Sequence, residues 1–331
     1  MASSEAIKKN IIVLGAGSWG AGLAHQLRQN PALHVSLIAR SPQDTDWLAQ
    51  GRIRQLPDLP AVAPLKAVTD ITHLSDAELI ILAAPVSAHL QACADITRYA
   101  PADCPVVFCA KGLIADAEKG GIFLCEYGAA HLGSRPLAML TGPSFADEVL
   151  SDLPAALLAA STDAELRETI ASLFEPSCLR IYQGSDIIGA AVGGAAKNVI
   201  AIAAGIVAGK GFGDNARAAL VTRGLAEMMR LASAAGGQTA TISGLAGLGD
   251  LLLSCASTHS RNMAFGYQLG AGNAPPSHLS EGQFATSLLC ARAEFEGVEM
   301  PLAQAVNAII NHDAPLTDTI KTILSRTAYS E

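Results

Sequence analysis

A short apolar run, Ile11-Ile12-Val13-Leu14, passes without a spacer into Gly15-Ala16-Gly17-Ser18-Trp19-Gly20. Beyond it, Ala21, Leu23, Ala24 and Leu27 recur at helical spacing, and a second apolar run follows at Val35–Ile38. Strand, glycine turn, helix and strand in that order make a βαβ unit. The three glycines have separate mechanical tasks: Gly15 makes the turn, Gly17 lets backbone approach a phosphate, and Gly20 lets the helix pack on the strand. Free N–H groups and the helix dipole then meet a pyrophosphate. In a chain with 30 glycines such a string is weak by itself. Its place between a strand and a helix makes it a dinucleotide loop.

Further strand-like runs occur at 79–83, 106–109, 137–140 and 155–160, with helix-like segments between several of them. That alternation predicts a mostly parallel sheet covered on both faces. After about residue 186 strand signals fade and helical periodicity takes over. At 331 residues the chain suits two domains. The expected architecture is α/β: a Rossmann-type, doubly wound sheet domain over 1–186 and an all-α domain over 187–331. Residues 187–209 are long and apolar enough to cross a bilayer. Asp186, Lys197, Asn198 and Lys210 in or beside them favour instead a buried helix that lines a polar site. Asp214 is the expected N-cap of the next helix, which Gly236-Gly237 stops.

A formal charge of −8 argues against a general nucleic-acid or anionic-membrane surface, so phosphate must be bound locally. The seven cysteines form no CxxC pair and no zinc spacing, which predicts buried free thiols and no metal site. The N-terminal apolar run ends in a glycine loop rather than a cleavage site and reads as the first strand of a cytoplasmic protein.

Where an acidic residue would grip the ribose of a dinucleotide, the sequence places Arg40 and Ser41. A guanidinium there favours a 2′-phosphate and hence NADP(H), while Asp44 and Asp46 keep NAD(H) within reach. A solvated strand-end charge is the plainer alternative for Arg40. Lys197 lies within Gly193-Gly194-Ala195-Ala196-Lys197-Asn198, where Gly193, Gly194, Ala201 and Ala204 leave a gap beside it on the helix. Burying an ammonium is costly unless it is paired, and burial makes it a candidate acid–base group. The alternatives are a lysine that snorkels to solvent or a structural ion pair. Asp250, the one charge in GLAGLGDLLLS, is its expected partner. Asp250 favours the ammonium and burial the neutral amine, so the sequence leaves the balance open. Ser260-Arg261-Asn262 precede a helix and supply hydroxyl, guanidinium, amide and helix-end N–H groups for one phosphate. By themselves they also read as an N-cap beside an exposed arginine.

With these residues assembled, the chain resembles the bacterial-type NAD(P)-dependent glycerol-3-phosphate dehydrogenases over nearly its whole length. The resemblance is carried by GAGSWG, AKGL at 110–113, TGPSFADEV at 141–149, GGAAKNVIAIAAGI at 193–206, GFGDNARAALVTRGLAEM at 211–228, GLAGLGDLLLSC at 244–255, SRN at 260–262 and GVEMP at 297–301. It implies that Lys197 is the catalytic acid–base group with Asp250 beside it. Lys111, Gly142, Ser144, Ser260, Arg261 and Asn262 would then hold a phosphorylated substrate. It further implies dinucleotide contacts from Ser18, Trp19, Arg40, Lys111, Ala146, Arg261, Leu279 and Glu281. The chain departs from the family most over 277–296, where Leu279 stands for the usual valine, and Ala21-Gly22 replaces the more frequent Thr-Ala.

The reaction so implied is reversible hydride transfer between NAD(P)H and dihydroxyacetone phosphate, which supplies glycerol 3-phosphate for phospholipid synthesis. Two rivals remain at this stage: a two-domain dehydrogenase of β-hydroxy acids, and a non-catalytic dinucleotide sensor. A homodimer is the prior for this build, with no nucleic-acid partner and no membrane insertion.

Overall fold

A computed structural model describes residues 8–274, 281–312 and 314–325, without the side chains of 281–284 and 323–325. The chain divides into two compact units, Met1–Ala110 with Cys125–Ile187, and Lys111–Leu124 with Ile188–Glu331. Residues 111–124 thus group with the second unit, which a single cut at 186/187 does not allow for.

The first unit is built on an eight-stranded sheet in the order β10-β9-β8-β5-β4-β1-β2-β3. Its strands are β1 (Lys9–Leu14), β2 (Leu33–Ile38), β3 (Ala67–Val68), β4 (Leu79–Leu82), β5 (Val106–Phe108), β8 (Leu137–Thr141), β9 (Ala155–Ala160) and β10 (Leu179–Gly184). Neighbours run parallel except β8 and β9, where Met139 faces Ala160 antiparallel. Every residue of β4 and the last four of β1 are buried, as strands covered on both faces require. The helices are α1 (Ser18–Leu27), α2 (Pro42–Ala49), α3 (His89–Tyr99), α4 (Leu124–His131), α5 (Ala146–Leu150) and α6 (Ala164–Leu173). The strand order reverses between β1 and β4, so the loop after β1 opens at a topological switch point. Two strands lacked a sequence signal for simple reasons. β3 has two residues, and β10 leaves Arg180, Gln183 and Tyr182 exposed at the sheet edge.

The second unit contains α7 (Ile187–Gly209), α8 (Gly213–Ala234), α9 (Thr239–Ser243), α10 (Asp250–Ala256), α11 (Arg261–Gly270), α12 (Glu281–Phe295), α13 (Pro301–Asn311) and α14 (Leu316–Ser325). Every described element after residue 186 is helical, as expected of 187–331, and the unit adds from residues 111–124 the hairpin β6 (Leu113–Asp116) and β7 (Gly120–Phe123). Asp116 accepts from the N–H groups of Glu118 and Lys119, and Gly120 at φ +70 completes the turn. Arg292 of α12 donates to the Gly121 carbonyl at 3.1 Å and lies 4.6 Å over the Phe123 ring, which fastens the hairpin to the helices.

Helix α7 is the one helix among the described residues long and apolar enough to span a bilayer, and 89% of its apolar window is buried inside the structure. Its partner α11 comes unusually close because small residues meet on both sides. A Cβ on Gly205 or Gly209 would strike the carbonyls of Met263 or Tyr267, and one on Gly266 or Gly270 those of Ile202 or Ile206. Gly266→Ala puts a methyl against backbone that cannot rotate away, an overpacking cost of about 1–3 kcal/mol. The guanidinium denaturation midpoint should fall accordingly; an unchanged midpoint would show that the helices separate freely.

Asp214 is not the N-cap of α8, which begins one residue earlier after Phe212. Asp214 sits in the first turn and pairs with Arg217 at 3.0 Å. Buried Glu227 accepts from the N–H groups of Leu302 (2.7 Å) and Ala303 (3.3 Å), so this acid caps α13. All seven cysteines are free thiols, five of them buried. Burial pushes Cys93, Cys104 and Cys290 up to about 11 and Cys255 to about 12, which leaves them protonated at neutral pH.

Candidate active site

In the first unit the glycine loop has the shape the sequence requires. Gly15 adopts φ +117, and a Cβ there would lie 2.5 Å from the Ala84 nitrogen, so the turn needs glycine on both counts. A Cβ on Gly20 would strike the Gly15 carbonyl, whereas the same position on Gly17 meets nothing within 4 Å. No side chain caps α1 at Gly17, so the N–H groups of its first turn, which includes Ser18 and Trp19, are left to a ligand. An open backbone edge at the N-terminal end of a ten-residue helix fits a pyrophosphate.

Arg40 is exposed just beyond β2, followed by the α2 N-cap Ser41, whose hydroxyl accepts from the Asp44 N–H. After β8, Gly142 takes φ +144, Ser144 donates to the Gly142 carbonyl at 3.2 Å, and Ala146 opens α5.

In the second unit, three sequence-expected residues converge. Lys197 Nζ lies 3.1 Å from Asp250 Oδ1, and Lys111 Nζ lies 2.5 Å from Asp250 Oδ2. Asp250 is 2% exposed and Lys197 8%. The approach rests on small residues: a Cβ on Gly193 of α7 would strike the Ala246 carbonyl. The gap beside Lys197 is therefore filled by the segment that leads into Asp250. There the chain makes a wide turn, with Gly249 N–H bonded to the Gly244 carbonyl at 3.0 Å, before α10 begins at Asp250.

Burial alone drives the Asp250 carboxyl up, but the Lys111 and Lys197 ammoniums outweigh it and hold the group below the ordinary carboxylate range. Two ammoniums thus converge on one buried carboxylate, where an anionic ligand would meet cationic groups. Lys197 also donates to Ser254 Oγ at 2.7 Å, so two contacts one helical turn apart on α10 fix its direction.

Asn198 ties the cluster to the proposed phosphate trio. Its Nδ2 donates to the Lys111 carbonyl at 3.3 Å, and its Oδ1 accepts from Asn262 Nδ2 at 2.9 Å. Ser260 is the N-cap of α11 and buried, Asn262 is buried, and Arg261 between them is exposed. Sequence reading missed Ser254 and the bridging role of Asn198. The signal for Ser254 was its i,i+4 spacing from Asp250. For Asn198 it was an amide inside a 23-residue apolar helix. Leu279 lies outside the described residues, as does the side chain of Glu281.

A chain that gives one unit to a pyrophosphate loop and the other to a lysine held by a buried carboxylate falls in the class of two-unit, nucleotide-dependent dehydrogenases. Comparison with known proteins narrows the class. Family models described as the N-terminus and C-terminus of NAD-dependent glycerol-3-phosphate dehydrogenase match residues 10–167 and 186–321. A glycerol-3-phosphate dehydrogenase [NAD(P)+] of Caulobacter vibrioides is 41% identical over 326 residues, 95% of this chain and 96% of the relative. One from Agrobacterium fabrum is 38% identical over 330 residues, 98% and 99% of the two chains. The crystal structure of a glycerol-3-phosphate dehydrogenase from Coxiella burnetii superposes with TM-score 0.89 at 35% identity, over 97% of this chain and 100% of that one. The chain belongs to the NAD-dependent glycerol-3-phosphate dehydrogenase family.

Proposed function

We propose that this protein interconverts dihydroxyacetone phosphate and glycerol 3-phosphate with NADP(H) or NAD(H), and that Lys197 is its acid–base group. The observation that carries the assignment is the buried Asp250 shared by Lys197 and Lys111. The dinucleotide, when bound, supplies the hydride that adds to the ketone carbon or takes it back from the alcohol. As negative charge grows on the carbonyl oxygen, Lys197 stabilises it and donates a proton. In the reverse direction neutral Lys197 accepts the hydroxyl proton. Asp250 and Ser254 hold Nζ in one direction throughout, so no reorientation is needed as charge develops.

Ser260, Arg261, Asn262 and Lys111, with Gly142 and Ser144, are assigned to the substrate. Gly15, Gly17, Gly20, Ser18, Trp19, Arg40, Lys111, Ala146, Arg261, Leu279 and Glu281 are assigned to the dinucleotide. Phosphate held away from the reacting carbon contributes binding energy that orients it. Arg261→Ala should therefore raise KM for dihydroxyacetone phosphate about 10- to 100-fold, the worth of a hydrogen bond to a charged group. If the variant discriminates dihydroxyacetone phosphate from dihydroxyacetone as well as the parent does, the phosphate lies elsewhere.

The assignment as a whole is tested by following NADPH absorbance with dihydroxyacetone phosphate. Turnover excludes a dinucleotide sensor, and preference for a β-hydroxy acid would favour the other dehydrogenase reading. We place the enzyme in the cytoplasm, where the product would feed phospholipid synthesis. A homodimer, common in dehydrogenases of this build, is the assembly we expect, and light scattering measures it directly.

A further inference from the structure

The segment after β2 contains a second guanidinium that neither the glycine loop nor the catalytic cluster explains. Asp44, one of two acids within reach of the ribose position, is buried, and both its oxygens are engaged. Ser41 Oγ donates to Oδ2 at 2.8 Å, and Arg54 Nε donates to Oδ1 at 2.8 Å. A carboxylate that grips a ribose diol must face outward, whereas Asp44 is buried with each oxygen already bonded to a side chain of the protein. Asp46 lies two residues further along α2, about 200° around the helix from Asp44, and is exposed. Neither acid is placed as the ribose acid of an NAD site.

The same bond fixes Arg54. Its Nε is taken by Asp44 and its side chain is 43% exposed. No described residue accepts from its two terminal nitrogens. Those nitrogens form the planar fork that grips phosphate oxygens in pairs. Arg40, immediately before Ser41, is exposed and makes no hydrogen bond or ion pair with any described residue. Two guanidiniums thus flank the first turn of α2, against one acid already neutralised by Arg54.

We infer that Arg54, anchored by Asp44, joins Arg40 in holding the 2′-phosphate of NADP(H), and that this pair sets a preference for NADP(H) over NAD(H). The inference rests on the dinucleotide-dependent dehydrogenase reading above and deepens it. An exposed ion pair made only for stability would have no effect on a choice between cofactors that differ by one phosphate.

The test is calorimetric titration of the full-length protein and its Arg54→Gln and Arg54→Lys variants with NADPH and with NADH. In Arg54→Gln the NADPH Kd should rise tenfold or more while the NADH Kd stays within about twofold, a control that also reports on folding. Arg54→Lys should fall between, since an ammonium keeps the charge but not the fork. A ratio of the two Kd values unchanged from the parent overturns the inference, and so does equal weakening of both cofactors, which would make Arg54 a purely structural residue. Failure of the parent to bind either dinucleotide removes the dehydrogenase reading itself, a result distinguishable from the other two.

Discussion

Lys197→Ala should lose about three orders of magnitude in kcat and still bind NADPH with a Kd within about twofold of the parent. The rate loss is the usual worth of a positioned general acid, and it falls on kcat because proton donation matters only as the oxygen becomes basic. Cofactor binding survives because the glycine loop and Arg40 belong to a different unit of the chain from Lys197. Steady-state rates and a fluorescence titration with NADPH separate the two effects. A variant with near-parental turnover would leave Lys197 as a merely structural partner of Asp250.

The second large effect is expected from Asp250→Asn, on stability as well as on rate. Removing one partner of a buried ion pair leaves uncompensated charge, here two ammoniums converging on one site, at a cost of about 3–5 kcal/mol. Losing the anion also disfavours the ammonium form of Lys197. The alkaline limb of the reduction rate should move to lower pH, and kcat should fall. The pH dependence of stability follows from the depressed Asp250 carboxyl. A group whose folded value lies below its unfolded value of about 3.9 contributes stability fully above the unfolded value and loses it as pH falls through the folded one. The gap in denaturation midpoint between parent and variant should thus be constant from about pH 5 to 8 and narrow only below about pH 4. A gap that closed near neutrality would mean that Asp250 is not the carboxylate in control.

The parts of the fold legible in the sequence are those with dense local signals. Strand β4 and the last four residues of β1 are continuous apolar runs because both their faces are buried, β9 is apolar throughout though only half its residues are fully buried, and α7 announces itself by length and composition. The hairpin at 113–123 was not legible, because its strands are four residues each and their support comes from Arg292, some 170 positions later. Its assignment to the second unit matters for function, since Lys111 stands at the root of that segment. The N-cap expected at Asp214 failed for a smaller reason. Gly213 at φ +84 already starts the helix, and the acid is used one position inside it, where it still complements the dipole.

Within the site, Lys197 and Asp250 could be paired on paper because each is the one charge in its own apolar segment. That Lys111 makes the other contact to Asp250 could be suggested only by resemblance, since 139 residues separate them. Asp44 shows the limit most clearly. Its position in the sequence suits a ribose acid, yet the bonds to Ser41 and Arg54 turn it into an anchor.

Composition, periodicity and the run from Ile11 to Gly20 by themselves determined the class of sheet, the dinucleotide loop and the buried character of α7, because each depends on neighbours within a few turns of chain. Only the tertiary structure decided which charges share Asp250, which glycines let α7 and α11 touch, and which face of α2 its acids occupy. Those outcomes depend on close approach of backbones distant in sequence, where a Cβ or a single carboxylate oxygen decides whether two groups can meet.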